Sequence, residues 1–301
     1  MPAPVTAIVE SATQISPNFI RIVFTGPELK VVGSDTPLYD QRIKLIFPNP
    51  GQPLPEFPQQ GLWYEEWAKL PEDSRGVMRT YSIRSLERTE EATRMTVDFV
   101  LHIAPGLTGP ASTWAASAAA GDEILIVAPR LDAEYMGGIE FAPGAATKVI
   151  LAGDETAAPA IARILEDLAD SDIPGTAMIE IPSDDDALAI AGPSSIDVKW
   201  LPRNGRKHGE LLMETLALHH EETEAAATSE GELVWETPVF SATGEQITES
   251  NPRSGDYYWI AGESGVVTSI RRSLGRVSYM RNQTRIAAST TPARYVTASL
   301  S

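Results

Sequence analysis

The chain has no cysteine among its 301 residues. That absence removes disulfides, thiolate nucleophiles, cysteine-ligated iron–sulfur clusters and zinc knuckles together, so any electron transfer must run through an organic cofactor. Histidine is scarce: the four stand at 102, 208, 219 and 220, and no two have the i, i+4 spacing that puts two ligands on one helix face. A protein-bound metal is therefore not expected, and the adjacent His219 and His220 read as a solvated helix end. Basic residues are outnumbered, 24 Lys and Arg against 41 Asp and Glu, for a formal net charge of -17. This balance argues against a nucleic-acid or anionic-membrane partner, which needs basic patches to release counterions. An anionic ligand must be met by a few placed Arg or Lys. No apolar run approaches the roughly 18 residues of a membrane span. Residues Met1 to Val5 show neither the basic nor the apolar region of a secretory signal, so a cytoplasmic location is the expectation.

What is present is ordinary globular material, 43% hydrophobic, long enough for two domains with a core each. Residues 5–10, 19–24, 41–47, 79–84, 95–104 and 123–128 alternate in the manner of strands. A proline-rich loop follows Phe47. Strands at this spacing with little helical periodicity predict an antiparallel β-barrel over residues 1–142. One helix interrupts it, opening at Gly109-Pro110 and closing at Gly121. From residue 143 to 301 the pattern changes to strands at 148–152, 177–181, 196–201 and 257–261, alternating with helices after Thr156, over 209–220 and over 265–274. That alternation predicts a parallel sheet covered by helices on both faces, an α/β domain. Residues 184–186 read as a solvated acidic loop and residues 221–232 as a linker.

Within the barrel, the stretch Arg79-Thr80-Tyr81-Ser82-Ile83-Arg84 combines two guanidiniums, an aromatic plate and two hydroxyls. These residue types suit a phosphate and a flavin ring. The same six residues also make a half-buried strand with a solvated arginine face. About 30 residues on, the helix start Gly109-Pro110-Ala111-Ser112-Thr113 offers unpaired backbone N–H groups and hydroxyls, an anion site or a plain capped helix. A pyrophosphate held between the two accounts for both.

In the second domain, ligands are expected beyond the carboxyl ends of the strands. Two loops lie there, Gly153-Asp154-Glu155-Thr156-Ala157-Ala158-Pro159 and Gly262-Glu263-Ser264-Gly265. Neither matches G-x-G-x-x-G or a Walker A loop, and the two carboxylates after Gly153 would repel a phosphate set against them. Glu180 is a candidate for a ribose hydroxyl, and Arg203 or Arg206 for a 2'-phosphate.

The run Arg79 to Arg84, then Val97-Asp98-Phe99-Val100-Leu101-His102, then Gly109-Pro110-Ala111-Ser112 with Trp114-Ala115 and Gly121-Asp122, resembles the FAD-binding domain of siderophore-interacting proteins. These are ferric-siderophore reductases of the ferredoxin-NADP reductase superfamily, and the resemblance extends from Val5 to about Arg281. It implies an FAD site built from Arg79, Thr80, Tyr81, Ser82, Arg84, Asp98, Val100, His102, Gly109, Pro110, Ala111, Ser112 and Trp114. Arg79 would meet the phosphates, Tyr81 the ring and Ser82 the N5 edge. It likewise implies an NADH or NADPH site at Gly153, Asp154, Glu155, Thr156, Ala157, Gly262 and Glu263. The substrate it implies is a ferric siderophore, contacted by Lys44 and Arg130; Arg281 is a third candidate contact, and a monomer is the expectation. Two other readings stay open: a flavin reductase or oxidoreductase of the same superfamily with another acceptor, and a non-catalytic ferric-chelate-binding protein. The chain departs from the family at Tyr279-Met280-Arg281, where Met280 replaces the usual Trp.

Overall fold

The computed structural model describes residues 3–34, 36–56, 63–101, 109–132, 137–226, 234–236, 255–262, 265–270 and 294–299. The chain folds as two units, Met1–Ile139 and Glu140–Ser301.

The first unit contains β1 (Val5–Ser16), β2 (Phe19–Thr25), β3 (Arg42–Phe47), α1 (Trp63–Lys69), β4 (Val77–Ser82), β5 (Ser85–Arg88), β6 (Thr93–Val100), α2 (Pro110–Ser117) and β7 (Glu123–Val127). Its strands form one antiparallel sheet in the order β4-β3-β7-β1-β2-β6-β5. The first and last strands of that order are consecutive in sequence, joined by Ile83 and Arg84 alone. A trans dipeptide spans under about 10 Å, so the sheet has to curl until its two edges meet. The two linking residues form the seam: Ile83 N–H donates to the Gln41 carbonyl just before β3 (3.0 Å), and Arg84 N–H donates to the Thr96 carbonyl of β6 (2.9 Å). The expected strand over 79–84 therefore stops at Ser82, because the next two residues turn across the closure.

The alternation that marked the strands also fills the barrel. Val5, Ala7 and Val9 from β1, Ile22 and Phe24 from β2, Ile43, Leu45 and Phe47 from β3, and Met95, Val97 and Phe99 from β6 point into one buried cluster. Helix α2 sets Ala111 and Ala115 into the same cluster. Pro110 opens the helix as expected. The helix ends at Ser117, however, and Gly121 (φ 97°) serves the turn into β7 instead of capping the helix.

The second unit contains β8 (Lys148–Gly153), α3 (Ala158–Asp167), β9 (Gly175–Ile181), β10 (Ile196–Pro202), α4 (Glu210–Ala226), β11 (Val234–Glu236), β12 (Asp256–Gly262), a helix over 265–270 and β13 (Arg294–Ser299). All of its strand pairings are parallel, in the order β10-β9-β8-β12-β13-β11. The predicted parallel α/β sheet is present, extended by two strands that the sequence pattern does not announce, β11 and β13. Helix α4 runs on to Ala226, so the expected linker from residue 221 begins helical. Asp186 is also not solvated: it is fully buried, and its Oδ2 accepts from the N–H and hydroxyl of Ser183 (3.2 and 2.8 Å) in a capping box.

Candidate functional site

In the barrel, β4 is the strand at one edge of the sheet order, and its register against β3 sets what each residue of the 79–82 stretch faces. Lys44 stands opposite Thr80, and Ile43 opposite Tyr81. Tyr81 therefore shares the inner face with Ile43 and packs on Phe99 and Phe47 at ring-centroid distances of 4.6 and 6.3 Å. It stays half-buried, and burial raises its phenol pKa against a lowering influence of Arg79. Arg79 is exposed; its Nη1 donates to the Met78 carbonyl (2.8 Å), and no carboxylate lies within ion-pair distance of it among the described residues. On the opposite face, Lys44 Nζ donates to Thr80 Oγ1 at 2.7 Å. Burial and then Arg42, on the same strand, lower the Lys44 pKa.

The other expected anion element is the start of α2. Gly109 precedes the helix, and a Cβ at that position would meet nothing within 4 Å, so the helix start is open to close approach. The two hydroxyls there are already committed: Ser112 Oγ donates to the Val100 carbonyl (3.0 Å) and Thr113 Oγ1 to the Gly109 carbonyl (3.1 Å). A hydroxyl has one proton, so neither can give it to a phosphate as well, and the element's capacity for an anion rests on its backbone. Trp114 lies 5.1 Å from Phe47 and stacks on Phe24 at 6.3 Å, making it part of the aromatic packing.

Asp98, expected among the cofactor contacts, stands behind the site. Its side chain is fully buried and takes both Nε and Nη2 of Arg21 (2.7 and 2.8 Å), with Arg84 Nε 3.7 Å away. Arg84 is itself buried at the barrel seam. The pair thus braces the closure, whereas Arg79 is the guanidinium presented to solvent. Arg130 is likewise occupied, through a fork to Asp132 at 2.7 Å on each arm. His102 lies outside the described residues.

In the second unit, the sheet order reverses between β8 and β12, and this is where a crevice opens at the carboxyl edge of such a sheet. Gly153 ends β8 opposite Ala261 of β12. Gly262 has φ 145°, and a Cβ there would stand 2.6 Å from Asp154 Oδ2. The two predicted loops are thus in contact, and glycine is required for that contact. Glu263 and Arg281 lie outside the described residues, as do Tyr279 and Met280.

The carboxylates of this edge are buried but compensated. Asp154 Oδ1 accepts from Thr156 N–H (2.9 Å) and Thr156 Oγ1 (2.5 Å). Glu155 is gripped by Arg203 at 2.7 and 2.6 Å. Glu180, expected to meet a ribose, is fully buried and accepts from the N–H groups of Gly209 (2.6 Å) and Leu212 (2.9 Å) at the start of α4. It therefore caps a helix. Arg203 is held by Glu155, and Arg206 by Glu210 and Glu214 (2.9 and 2.8 Å), so both candidates for a 2'-phosphate already carry carboxylate partners. Ala157 is buried and Thr156 half-buried, leaving Thr156 as the accessible side chain of the first loop. One participant gave no signal in the sequence: His208, a lone histidine between turn residues, whose Nε2 lies 3.2 Å from Asp154 Oδ2 and 3.6 Å from Glu155 Oε2.

An antiparallel barrel followed by a parallel α/β sheet whose strand order reverses between β8 and β12 defines the ferredoxin–NADP reductase-like class. Among solved structures the chain is similar in fold to a siderophore utilization protein from T. fusca, with TM-score 0.63 and 23% identity over 98% of this chain and 92% of that one. It is similar also to the siderophore-interacting protein SipS from Aeromonas hydrophila, with TM-score 0.60 and 23% identity over 97% and 91%. A ferredoxin NADP+ reductase from Neisseria gonorrhoeae with bound FAD and NADP aligns at TM-score 0.56 and 14% identity over 98% of each chain. An uncharacterized protein of Mycobacterium tuberculosis is 32% identical over 86% of this chain and 84% of its own length. The ferric vibriobactin reductase ViuB of Vibrio cholerae is 28% identical over 66% of each.

Residues 8–133 match the siderophore-interacting FAD-binding domain, and residues 146–288 match the siderophore-interacting protein family. The chain belongs to the siderophore-interacting protein family. No helix among the described residues is long and apolar enough to cross a membrane.

Proposed function

We propose that this protein is an FAD-dependent NAD(P)H:ferric-siderophore reductase. The observation that carries the reading is the pairing, on the edge strand of an FAD-binding barrel, of solvent-facing Arg79 with half-buried Tyr81, with the open Gly109 helix start on α2 of the same barrel. These features fit the bound cofactor. A forked, always-charged donor meets a diphosphate, an aromatic face meets the isoalloxazine, and a glycine admits close approach of backbone N–H groups.

FAD, when bound, takes two electrons as a hydride from NAD(P)H and releases them singly to Fe(III). The chain's own contribution is binding and orientation. Tyr81 is held in place by Phe99 and Phe47, so a ring laid against it is set at a defined angle. Arg79 neutralises phosphate. Asp98, Arg21 and Arg84 keep the barrel closed beneath them. In the second unit, Gly153 and Gly262 let the two loops pack against each other, Gly153 on Ala157 and Gly262 on Asp154, which fixes the edge that a dinucleotide would meet. Lys44 gives the acidic protein a local positive charge for an anionic ferric chelate, and Arg130 contributes less because Asp132 compensates it. Reduction frees the metal because hard anionic oxygen ligands hold Fe(III) far better than Fe(II).

Absorption spectroscopy tests this. The purified protein is expected to show a flavin spectrum that NAD(P)H bleaches without oxygen and that a ferric siderophore restores, with Fe(II) captured by a chromogenic chelator. Protein that is colourless and takes up no added FAD, or flavin that ferric chelates never reoxidise, would overturn the reading. Ferric-chelate affinity at low salt that is unchanged by Lys44→Ala would remove Lys44 from the substrate site.

A further inference from the structure

We propose that His208, as an imidazolium, is the positioning residue of the dinucleotide loop, holding Asp154 and Glu155 so that NAD(P)H affinity weakens when His208 loses its proton. The inference rests on the reading of the Gly153 to Ala157 loop as the NAD(P)H site.

Five ionisable groups from four parts of the second unit converge at the carboxyl edge. Asp154 and Glu155 follow β8, Glu180 comes from β9, Arg203 follows β10, and His208 precedes α4. The three carboxylates have no measurable exposure. Arg203 forks to Glu155 and lies 3.7 Å from Glu180, so one permanent cation serves two of the three. The third, Asp154, has the His208 imidazole 3.2 Å from its Oδ2. That same oxygen is the atom against which Gly262 is packed. The imidazole thus acts on the point where the two nucleotide-facing loops touch.

Nε2 is within ion-pair distance of both carboxylates, nearer to Asp154. Hydrogen bonding to Asp154 is the largest influence raising the His208 pKa, burial opposes it, and the charges of Glu155 and Asp154 add to the rise against Arg203. A neutral His208 leaves Arg203 as the one cation of this group of five; Asp154 then keeps its bonds from Thr156 but loses the charge that faced its Oδ2, and Glu180 keeps its bonds from the start of α4. Two of the three carboxylates adjoin the loop, and the cheapest relief is for that loop to open toward water.

The test follows His208 by NMR and NAD(P)H by kinetics in the full-length FAD-loaded protein. The chain has four histidines, so the His208 signal is assigned by its loss in His208→Gln. It should titrate above the ordinary imidazole range and return toward that range in Asp154→Asn. The KM for NADH or NADPH should rise roughly fivefold or more as pH passes the His208 pKa, on the scale of ordinary site coupling. That limb should vanish in His208→Gln and be rescued by His208→Lys, whose charge persists to higher pH, with KM responding more than kcat. A His208 pKa at or below the ordinary value, or identical KM profiles in wild type and His208→Gln, overturns the proposal. Absence of NAD(P)H binding at every pH overturns the underlying reading of the loop and this proposal with it, while a raised His208 titration in the same sample would still record the ion pair.

Discussion

Arg203 holds Glu155 with both terminal nitrogens, at 2.7 and 2.6 Å, although 48 residues separate them and Glu155 has no exposed side chain. The pair ties the carboxyl end of β10 to the loop after β8, and it neutralises one of that loop's two acidic residues. Replacing Arg203 by Met leaves a buried carboxylate unpaired, for which the expected cost is about 3–5 kcal/mol. Urea unfolding should show this as a lower midpoint with an unchanged slope. A variant as stable as the parent would mean that Glu155 reaches water.

Gly262→Ala is expected to damage the second unit's site selectively. The added methyl would stand 2.6 Å from Asp154 Oδ2 on a backbone at φ 145°, which strains both chain and loop by about 1–3 kcal/mol. Stopped-flow flavin reduction should show a raised Kd for NAD(P)H, while the flavin absorption spectrum stays that of the parent. An unchanged Kd would place the dinucleotide elsewhere.

Arg79→Ala should leave stability within about 0.5 kcal/mol, because the side chain is an exposed one outside the core. Loss of a charge-assisted bond of about 1.5–3 kcal/mol weakens FAD binding by roughly ten- to a hundredfold. Fluorimetric titration of the apoprotein with FAD measures it. Asp98→Ala should do the reverse, lowering the unfolding midpoint first, since it removes the buried carboxylate beside Arg21 and Arg84 at the seam.

Stability should also depend on pH through His208. Its folded pKa lies above the ordinary 6.5, so the stabilisation is fully present below that unfolded value and is lost as pH rises through the folded one. Melting temperatures are therefore expected to decline on the alkaline side in the parent and to lose that component in His208→Gln. Parallel curves for the two proteins would contradict the coupling.

Much of the fold was legible because period-2 and period-3.6 apolar patterns report which side of an element is buried. The strands around Ile22, Leu45 and Val97, and α3 with Ile161, Ile164 and Leu165, follow from local spacing alone. The elements that escaped were those with little such pattern. Strand β5 is four residues long and largely exposed, and α1 is a single short helix after a proline-rich loop. Strand β13 lies beyond the family resemblance, which stops near Arg281, although Tyr295, Val296 and Thr297 are strand formers. Ser183 three residues before Asp186 was a readable capping signal that composition masked as acidic loop.

Residue types and their order thus determined the two-domain class, the choice of an organic cofactor in a chain without cysteine, and the Arg79 to Arg84 and Gly109 stretches as candidates. Only tertiary structure decided which charges remain available. Arg84, Arg130, Arg203 and Arg206 look alike in sequence to Arg79, yet each has a carboxylate beside it that another part of the chain or a near neighbour supplies. A charge meets a ligand only if its nearest counter-charge is not already folded against it. For Glu155 the partner Arg203 is 48 residues distant in the chain, and Asp154 and His208 are likewise far apart in sequence. Both pairs become adjacent only once the parallel sheet has formed.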